Sequence, residues 1–392
     1  MKRLRIYSLL TLFSVLLSVL TINRINSKLG LPGTGLDASM FMVLYLISIC
    51  FFLYPSKSRP TKSMTGIVLV LFITMLPATL FLTSGSELIN SIIVLLAMPI
   101  GIMVGKKLLH LYHSNGTSDL FLTILLLPAI IGVLWTIYLS NNMILIEESR
   151  DYIFSLVVFL PLIYYYKRPF FKFILIILLA YLALTSTKRT AIIMVAVSLC
   201  LYVFYNFRSI KKNLFNGVIV LILVVAVAGF ASKFISNDSF NDAFEITKER
   251  MTNFDDESNN ERKDMYQELL FESDSFDFIE LCYGHGYNAV SRNLFGHPAH
   301  NDYLELFYDY GIVAALCYLF LIIKCLFYGI SRTFQRRKGH YSPFFIVNTI
   351  LIFIVLSMAN CIVINPTYIF VAMITIGWSL EATRLDFEKY DR

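Results

Sequence analysis

The sequence has few charged residues. Asp, Glu, Lys and Arg make up 15% of its 392 residues, whereas 57% are hydrophobic. A soluble domain carries about 25% charged and about 45–50% apolar residues, because it must cover its surface with polar groups. The shortage excludes a soluble enzyme, an extracellular disulfide module and a disordered protein, and it leaves a polytopic membrane protein.

Cysteine pairs and metal-binding patterns are also missing. The six cysteines form no CxxC pair and five of them lie in apolar runs, so neither a disulfide framework nor a zinc cage is indicated. The sequence contains no HExxH motif. A metal site formed by His285, His297 and His300 stays open as an alternative, although their spacing matches no zinc template. We predict no metal and no cofactor.

Long apolar segments predict an all-α integral membrane protein with about twelve transmembrane helices, since one span needs about 20 apolar residues. The segments are 6–22, 38–54, 64–82, 88–104, 119–140, 152–166, 170–186, 190–206, 214–233, 303–325, 343–360 and 366–381. Basic residues precede the first segment, as in a signal peptide. No small-residue cleavage site follows Leu20–Asn23, so we expect a retained first span.

The distribution of Lys and Arg predicts that both termini are cytoplasmic. With this orientation, 21 of the 33 Lys and Arg residues fall in the inside segments. The outside loops at 83–87 and 361–365 contain none. Such an excess of positive charge marks the cytoplasmic side of a membrane protein.

One outside loop, residues 235–301, is long and acidic. It holds 14 of the 27 Asp and Glu residues and only five Lys or Arg. We expect two short amphipathic helices in it, near the membrane surface. The first lies around Ser239–Phe244, and the second follows a capping-box pattern formed by Ser258 and Glu261.

The end of this loop carries the densest cluster of chemically capable residues. The cluster contains Gly284, His285, Gly286, His297, His300, Asn301 and Asp302. Asn301 or Asp302 is suited to cap the span that follows. The positive end of that helix disfavours a charged imidazole and favours an anion, so His300 would be a neutral base. A polar anchor or a helix cap is the alternative role for this histidine.

Basic residues occur at two other places that could belong to a site. Lys188 and Arg189 lie in a short polar hinge between two predicted spans, and an arginine at membrane depth marks a site by default. Arg262 belongs to a basic pair within the acidic loop. The alternatives are a snorkelling Arg189 and a solvated Arg262. Two guanidinium groups would suit a diphosphate, with a histidine beside them as general base.

These motifs resemble the signature of the O-antigen polymerase/ligase family. The segment from His300 to Glu305, followed by Tyr310-Gly311, is similar to its HN motif. The segment 186–191 resembles its upstream Ser/Thr-x-x-Arg segment, and Arg262 fits its loop arginine. The resemblance spans about residues 170–360. Two departures are Ala314, where many members have glycine, and Asp309, where glutamate is common.

The resemblance implies an inverting, metal-independent glycosyl transfer on the periplasmic face of the bacterial inner (plasma) membrane. The donor would be an undecaprenyl-diphosphate-linked glycan, and the acceptor a second glycan or lipid A-core. Arg189 and Arg262 would bind the diphosphate, and His300 would act as base. The supporting residues would be Lys188, Gly284, Gly286, Asn301 and Asp302. Membrane lipids and a chain-length regulator or other polysaccharide-assembly proteins would be partners, with no nucleic acid.

The form of the HN segment favours a polymerase of O-antigen or another surface polysaccharide over an O-antigen ligase. The acidic loop favours a neutral or basic repeat unit. A lipid-linked oligosaccharide flippase is a further alternative, although no two-half repeat is visible. A structural scaffold would need neither Arg189 nor His300. The predicted organisation is helices 1–9 over residues 1–234, a periplasmic loop with part of the active site over 235–302, and helices 10–12 with a cytoplasmic tail over 303–392.

Overall fold

The structure is a computed structural model, and it describes most of the chain in separate stretches. The described residues are 2–28, 31, 35–54, 64–83, 85–114, 119–142, 153–166, 168–186, 188–212, 257–334, 342–359 and 362–390. The predicted span at 214–233 and the predicted amphipathic helix around Ser239–Phe244 lie outside them.

The regular elements in the described stretches are all helical, which confirms the all-α prediction. They are α1 (Lys2–Lys28), α2 (Asp37–Leu53), α3 (Thr65–Pro77), α4 (Ser86–Ser114), α5 (Asp119–Leu125), α6 (Leu127–Asn142), α7 (Phe154–Val157), α8 (Leu160–Tyr164), α9 (Pro169–Thr185), α10 (Arg189–Lys212), α11 (Glu257–Ser273), α12 (Phe278–Tyr283), α13 (Asp302–Phe334), α14 (Ser342–Ala359) and α15 (Pro366–Tyr390), with π-helical turns at Ala78–Leu82 and Ser291–Phe295. Each predicted apolar segment that falls on described residues coincides with a helix or a helix pair.

Several of these helices have the length and composition of membrane spans. Within the described stretches, four are long and apolar enough to cross a membrane: Leu4–Ser27, Thr65–Leu82, Glu87–Ser114 and Asp302–Phe334. The pair α5–α6, bent by 53°, makes a fifth if it forms one span. The described part of the chain is therefore all-helical, with several apolar helices long enough to span a membrane, and the count of twelve spans stays a prediction.

The chain divides into two compact units. Unit 1 comprises Met1–Leu9, Gly35–Thr117 and Asp255–Arg392. Unit 2 comprises Leu10–Thr34 and Ser118–Phe254.

In unit 1, α4 packs tightly along α15. A Cβ atom at Gly101 would lie only 2.8 Å from the Cβ of Met373, and one at Gly105 would lie closer still to the backbone of Ile374. Small residues allow this close approach between apolar helices. Towards the far ends of the same helices, the buried His110 ring contacts Glu381 at 2.7 Å, so each of these buried polar groups has a partner.

In unit 2, only three residues separate α9 from α10, and the structure describes Ser186 and Lys188 among them. Ser186 caps the end of α9, where its hydroxyl donates to the carbonyl of Ala183 at 2.8 Å. Helix α10 begins three residues later at Arg189, and the carbonyl of Lys188 accepts from the N–H groups of Ala191 and Ile192. The short polar hinge expected from the sequence is therefore present.

Helix α13 of unit 1 consists of two segments. Gly311 interrupts it with φ 81° and ψ 172°, which are not helical angles. Residues 302–310 therefore form a separate first segment ahead of a long apolar second segment. The first segment carries Asp302, Glu305 and Asp309, all three of them fully buried, and this segment organises the candidate site.

Candidate active site in unit 1

His300 lies immediately before the start of α13. Asn301 caps this helix, because its side-chain oxygen accepts from the N–H groups of Tyr303 at 3.0 Å and Leu304 at 3.4 Å. His300 itself is half-buried and has a φ of 55°. This left-handed conformation is uncommon for residues other than glycine, although histidine is enriched in it. Strained backbone of this kind clusters at functional sites, so the angle supports a functional role for His300.

Asp302 is not the helix cap, which was one of the two possibilities left open by the sequence. One carboxylate oxygen accepts from the N–H of Val363 at 3.0 Å, and the other accepts from the hydroxyl of Tyr318 at 3.0 Å. The same hydroxyl oxygen lies 2.8 Å from the Ser357 side chain. Asp302 therefore ties the start of α13 to α14 and to the loop between α14 and α15.

The other two carboxylates of the first segment hold the loop that contains the histidines. One oxygen of Glu305 accepts from the N–H of Ala299 at 2.8 Å. Asp309 uses both oxygens, accepting from the N–H of Asn288 at 2.7 Å and from that of Val290 at 3.1 Å. Buried carboxylates are costly unless they are hydrogen-bonded, and here each of the two accepts from backbone N–H groups of the loop that precedes α13.

Gly284 allows the loop to lie directly on α13. It ends α12 with a φ of 69°, and a Cβ atom there would come within 2.5 Å of the Asp309 carbonyl carbon. The next two N–H groups, of His285 and Gly286, donate to the carbonyls of Tyr308 at 3.0 Å and Asp309 at 2.8 Å. Only glycine combines this angle with this approach. Gly286 in turn lies against the backbone of Leu82.

A small hydrophobic cluster, which we call the loop core, joins α11 to this loop. Its buried members are Leu269, Ala289, Val290, Ala299 and Tyr308. Leu269 comes from α11, Tyr308 from α13, and the other three from the loop. Ala299 directly precedes His300, so α11 and the His300 backbone are anchored in one core.

Arg262 lies on the side of α11 that faces the body of unit 1. It is half-buried, whereas the adjacent Lys263 and Asp264 are exposed. It precedes Met265 by three residues and Leu269 by seven, and both of these are buried, so the three share one helix face. This position differs from that of a residue in a fully solvated charge run.

The histidines of the loop make ring contacts with one another and with aromatic neighbours. His285 stacks on Tyr308 with ring centroids 4.6 Å apart. His297 lies between Phe295 at 6.1 Å and His300 at 6.0 Å. Within the part of the chain that the structure describes, no group of three or more His, Cys, Asp or Glu side chains is placed to hold a metal ion.

Arg189 and Lys188 lie in unit 2, where both are half-buried at the start of α10. Of the predicted site residues, unit 1 brings together Gly284, Gly286, His300, Asn301, Asp302 and the helix that carries Arg262. A common site for Arg189, Arg262 and His300 stays a prediction.

The structure also shows helix caps and side-chain hydrogen bonds that were not predicted from the sequence. Helix α11 is described from Glu257 onward, and the side chains of the capping box expected at Ser258 and Glu261 lie outside the described part of the chain. A complete capping box that was not predicted occurs at Asp277 and Glu280, where it starts α12. The hydrogen bonds by which Asp309 holds two backbone N–H groups of the loop were also not predicted. The signal in the sequence is that carboxylates at 302, 305 and 309 fall on one helix face beside an apolar run.

Comparison with known proteins gives one result. Residues 173–319 match a family model described as O-antigen ligase, and every predicted site residue lies within this stretch. No curated protein matches the sequence. The resemblance to the O-antigen polymerase/ligase family seen in the motifs is thereby confirmed over residues 173–319.

Proposed function

We propose that this protein polymerises lipid-linked repeat units of O-antigen or another surface polysaccharide. The reaction is an inverting glycosyl transfer on the periplasmic face of the bacterial inner membrane. The donor is a glycan attached to undecaprenyl diphosphate, and the acceptor is a hydroxyl group of a second lipid-linked glycan. The family match over residues 173–319 supports this class of reaction.

In the proposed mechanism, His300 takes the proton of the acceptor hydroxyl as its oxygen attacks the anomeric carbon. The bond from that carbon to the diphosphate oxygen breaks on the opposite face of the sugar, so the configuration inverts. The carrier diphosphate leaves with the electron pair. Arg189 and Arg262 neutralise its charge with their planar donor groups, and Lys188 adds positive charge beside Arg189.

The observation that carries the proposal is the fixed backbone around His300. The residue before it is tied to Glu305, the residue after it caps α13, and His300 itself adopts the left-handed conformation. A histidine that serves only as an anchor at a membrane interface needs no such fixed backbone. A general base does, because proton transfer requires a defined distance to the reacting hydroxyl.

An O-antigen ligase is the second candidate, since the matching family model carries that description. A ligase uses the same donor and the same chemistry but transfers the finished chain to lipid A-core. The proposal of a polymerase rests on the form of the segment from His300 to Glu305.

The proposed topology has twelve spans with both termini in the cytoplasm. Residues 1–234 supply spans 1–9, residues 235–302 form the periplasmic loop, and residues 303–392 supply spans 10–12 and the cytoplasmic tail. Labelling of single cysteines from the periplasmic side tests this arrangement. A cysteine at Asn293 should be labelled in intact cells, and one at Arg336 should be labelled only after lysis.

The test of the function is the glycan profile of cells that carry His300→Ala at normal membrane level. A polymerase predicts single repeat units without long chains, whereas a ligase predicts long chains that stay on the carrier and never reach lipid A-core. His113→Ala is the control, because it removes an exposed imidazole from α4, outside the loop that contains His300. An unchanged profile in His300→Ala cells would rule out the catalytic role and favour the flippase or the scaffold.

A further inference from the structure

The first segment of α13 carries three carboxylates that take no direct part in the proposed reaction. Asp302, Glu305 and Asp309 are buried and lie on one face of residues 302–310. Each accepts from the N–H of a different chain segment: 363 for Asp302, 299 for Glu305, and 288 and 290 for Asp309. The segment therefore fixes three pieces of irregular backbone to one short helix.

Glu305 acts on the residue next to the proposed base. Its Oε2 atom lies 2.8 Å from the N–H of Ala299, and Ala299 is fully buried in the loop core. One residue later, the backbone of His300 turns into the left-handed region. Because Glu305 lies one helical turn after the cap Asn301, it joins the two ends of the short bend that contains His300.

Asp309 acts on a different part of the loop, two turns from the cap. It holds the N–H groups of Asn288 and Val290, and Asn288 has a φ of 58°. The adjoining N–H groups of His285 and Gly286 donate to α13 carbonyls. The hydrogen bonds that fix the segment 285–290 to α13 are therefore different from the one that holds the bend at His300.

From these contacts we infer that Glu305 is a positioning residue for His300. It places the imidazole at the start of α13 by accepting from the Ala299 N–H, and it takes no part in proton transfer. Asp309 is the corresponding clamp for the segment 285–290. The inference rests on the proposed function, because positioning His300 matters for catalysis only if His300 is the base. The contact between Glu305 and the Ala299 N–H can be tested without the glycan substrate.

Two conservative variants distinguish a role of Glu305 in positioning the backbone from a role that needs its negative charge. Glu305→Gln keeps the length of the side chain and an oxygen that accepts from the Ala299 N–H, while it removes the charge. Glu305→Asp keeps the charge but withdraws the carboxylate by one methylene group, so the bond to Ala299 is lost. Positioning predicts that Glu305→Gln keeps long-chain glycan and that Glu305→Asp loses it. A role in proton transfer predicts the reverse order.

The second measurement is the reaction of diethyl pyrocarbonate with each histidine of the purified full-length protein, read by peptide mass spectrometry. Loss of a buried hydrogen-bond partner shifts a local opening equilibrium by roughly tenfold. Glu305→Asp should therefore change the modification rate of His300 by up to about tenfold and leave His285 unchanged. Asp309→Leu should do the opposite, and it serves as the matched control.

Two results would overturn the inference. The first is a Glu305→Asp protein in which His300 reacts as in the wild type. The second is an equal change at His285 and His300, because that pattern means general loosening. Glu305→Asp could change the reaction of His300 selectively while His300→Ala cells keep an unaltered glycan profile. That result would support the positioning contact and reject the proposed function.

Discussion

Replacing Asp309 by asparagine should be far more damaging than the same change at Asp302. Asp309 accepts from two backbone N–H groups, one on each oxygen. An asparagine has one oxygen and one NH₂ group, so its NH₂ would face the N–H of Asn288 or of Val290. Two donors then meet in a buried place, and each lacks an acceptor.

The size of this effect follows from the cost of an unsatisfied buried donor, about 1–3 kcal/mol for each group. Two such groups at Asp309→Asn give about 4 kcal/mol. At Asp302 the second partner is a hydroxyl, which can accept as well as donate. The new NH₂ can donate to the Tyr318 oxygen, and the Tyr318 hydroxyl can turn to Ser357, which lies 2.8 Å away. The cost of Asp302→Asn should therefore stay below about 1 kcal/mol.

Hydrogen exchange of the purified full-length protein measures this difference. A gap of about 3 kcal/mol corresponds to a factor of about 100 in local opening, so peptides covering residues 285–290 should exchange about 100-fold faster in Asp309→Asn than in Asp302→Asn. Both variants replace one buried carboxyl group by a carboxamide of nearly the same size, so the change in side-chain volume cancels in the comparison. Equal exchange in the two variants would refute the assignment of both Asp309 oxygens as acceptors.

Three further predictions concern residues around the same loop. Asn301→Ala should lower the free energy of unfolding by about 1 kcal/mol through loss of the cap, and Asn301→Asp should restore thermal stability. Gly284→Ala should lower it by more than about 1 kcal/mol because of its positive φ and its contact with Asp309, measured by the midpoint of thermal unfolding. Arg262→Lys should reduce long-chain glycan because the ammonium group lacks the planar donor fork, and Lys263→Ala, its exposed neighbour, should leave the glycan ladder unchanged.

Local signals in the sequence predicted where the helices lie, although α4 and α13 continue ten and nine residues beyond the predicted apolar segments. The apolar segments on described residues became helices because each carries enough hydrophobic residues in one run. Asn301 was recognisable, together with Asp302, as a candidate cap for α13 because capping is a contact with residues at most four positions away. Such contacts depend on the neighbouring sequence alone, so the sequence was sufficient for them.

The partners of the buried carboxylates could not be predicted in the same way. Asp302 accepts from Val363, 61 residues further along the chain, and Asp309 accepts from two residues about twenty positions earlier. Nothing in the local sequence identifies those partners, because they meet only after the helices pack. The sequence shows that Asp302 is unusual in an apolar helix, and the structure shows why it is there.

The departure at Asp309 from the glutamate that is common in the family can be explained by the distance between loop and helix. At Gly284 the loop backbone lies so close to α13 that a Cβ atom would come within 2.5 Å of the Asp309 carbonyl carbon. The two N–H groups bound by Asp309 are therefore within reach of a side chain with one methylene group. A glutamate would need one methylene group more of space, which a well-packed interior does not provide without moving the loop. The length of this side chain and the two glycines, Gly284 and Gly311, therefore set one short distance between the loop and α13, and a change at any of them should move the loop backbone around residues 284–290.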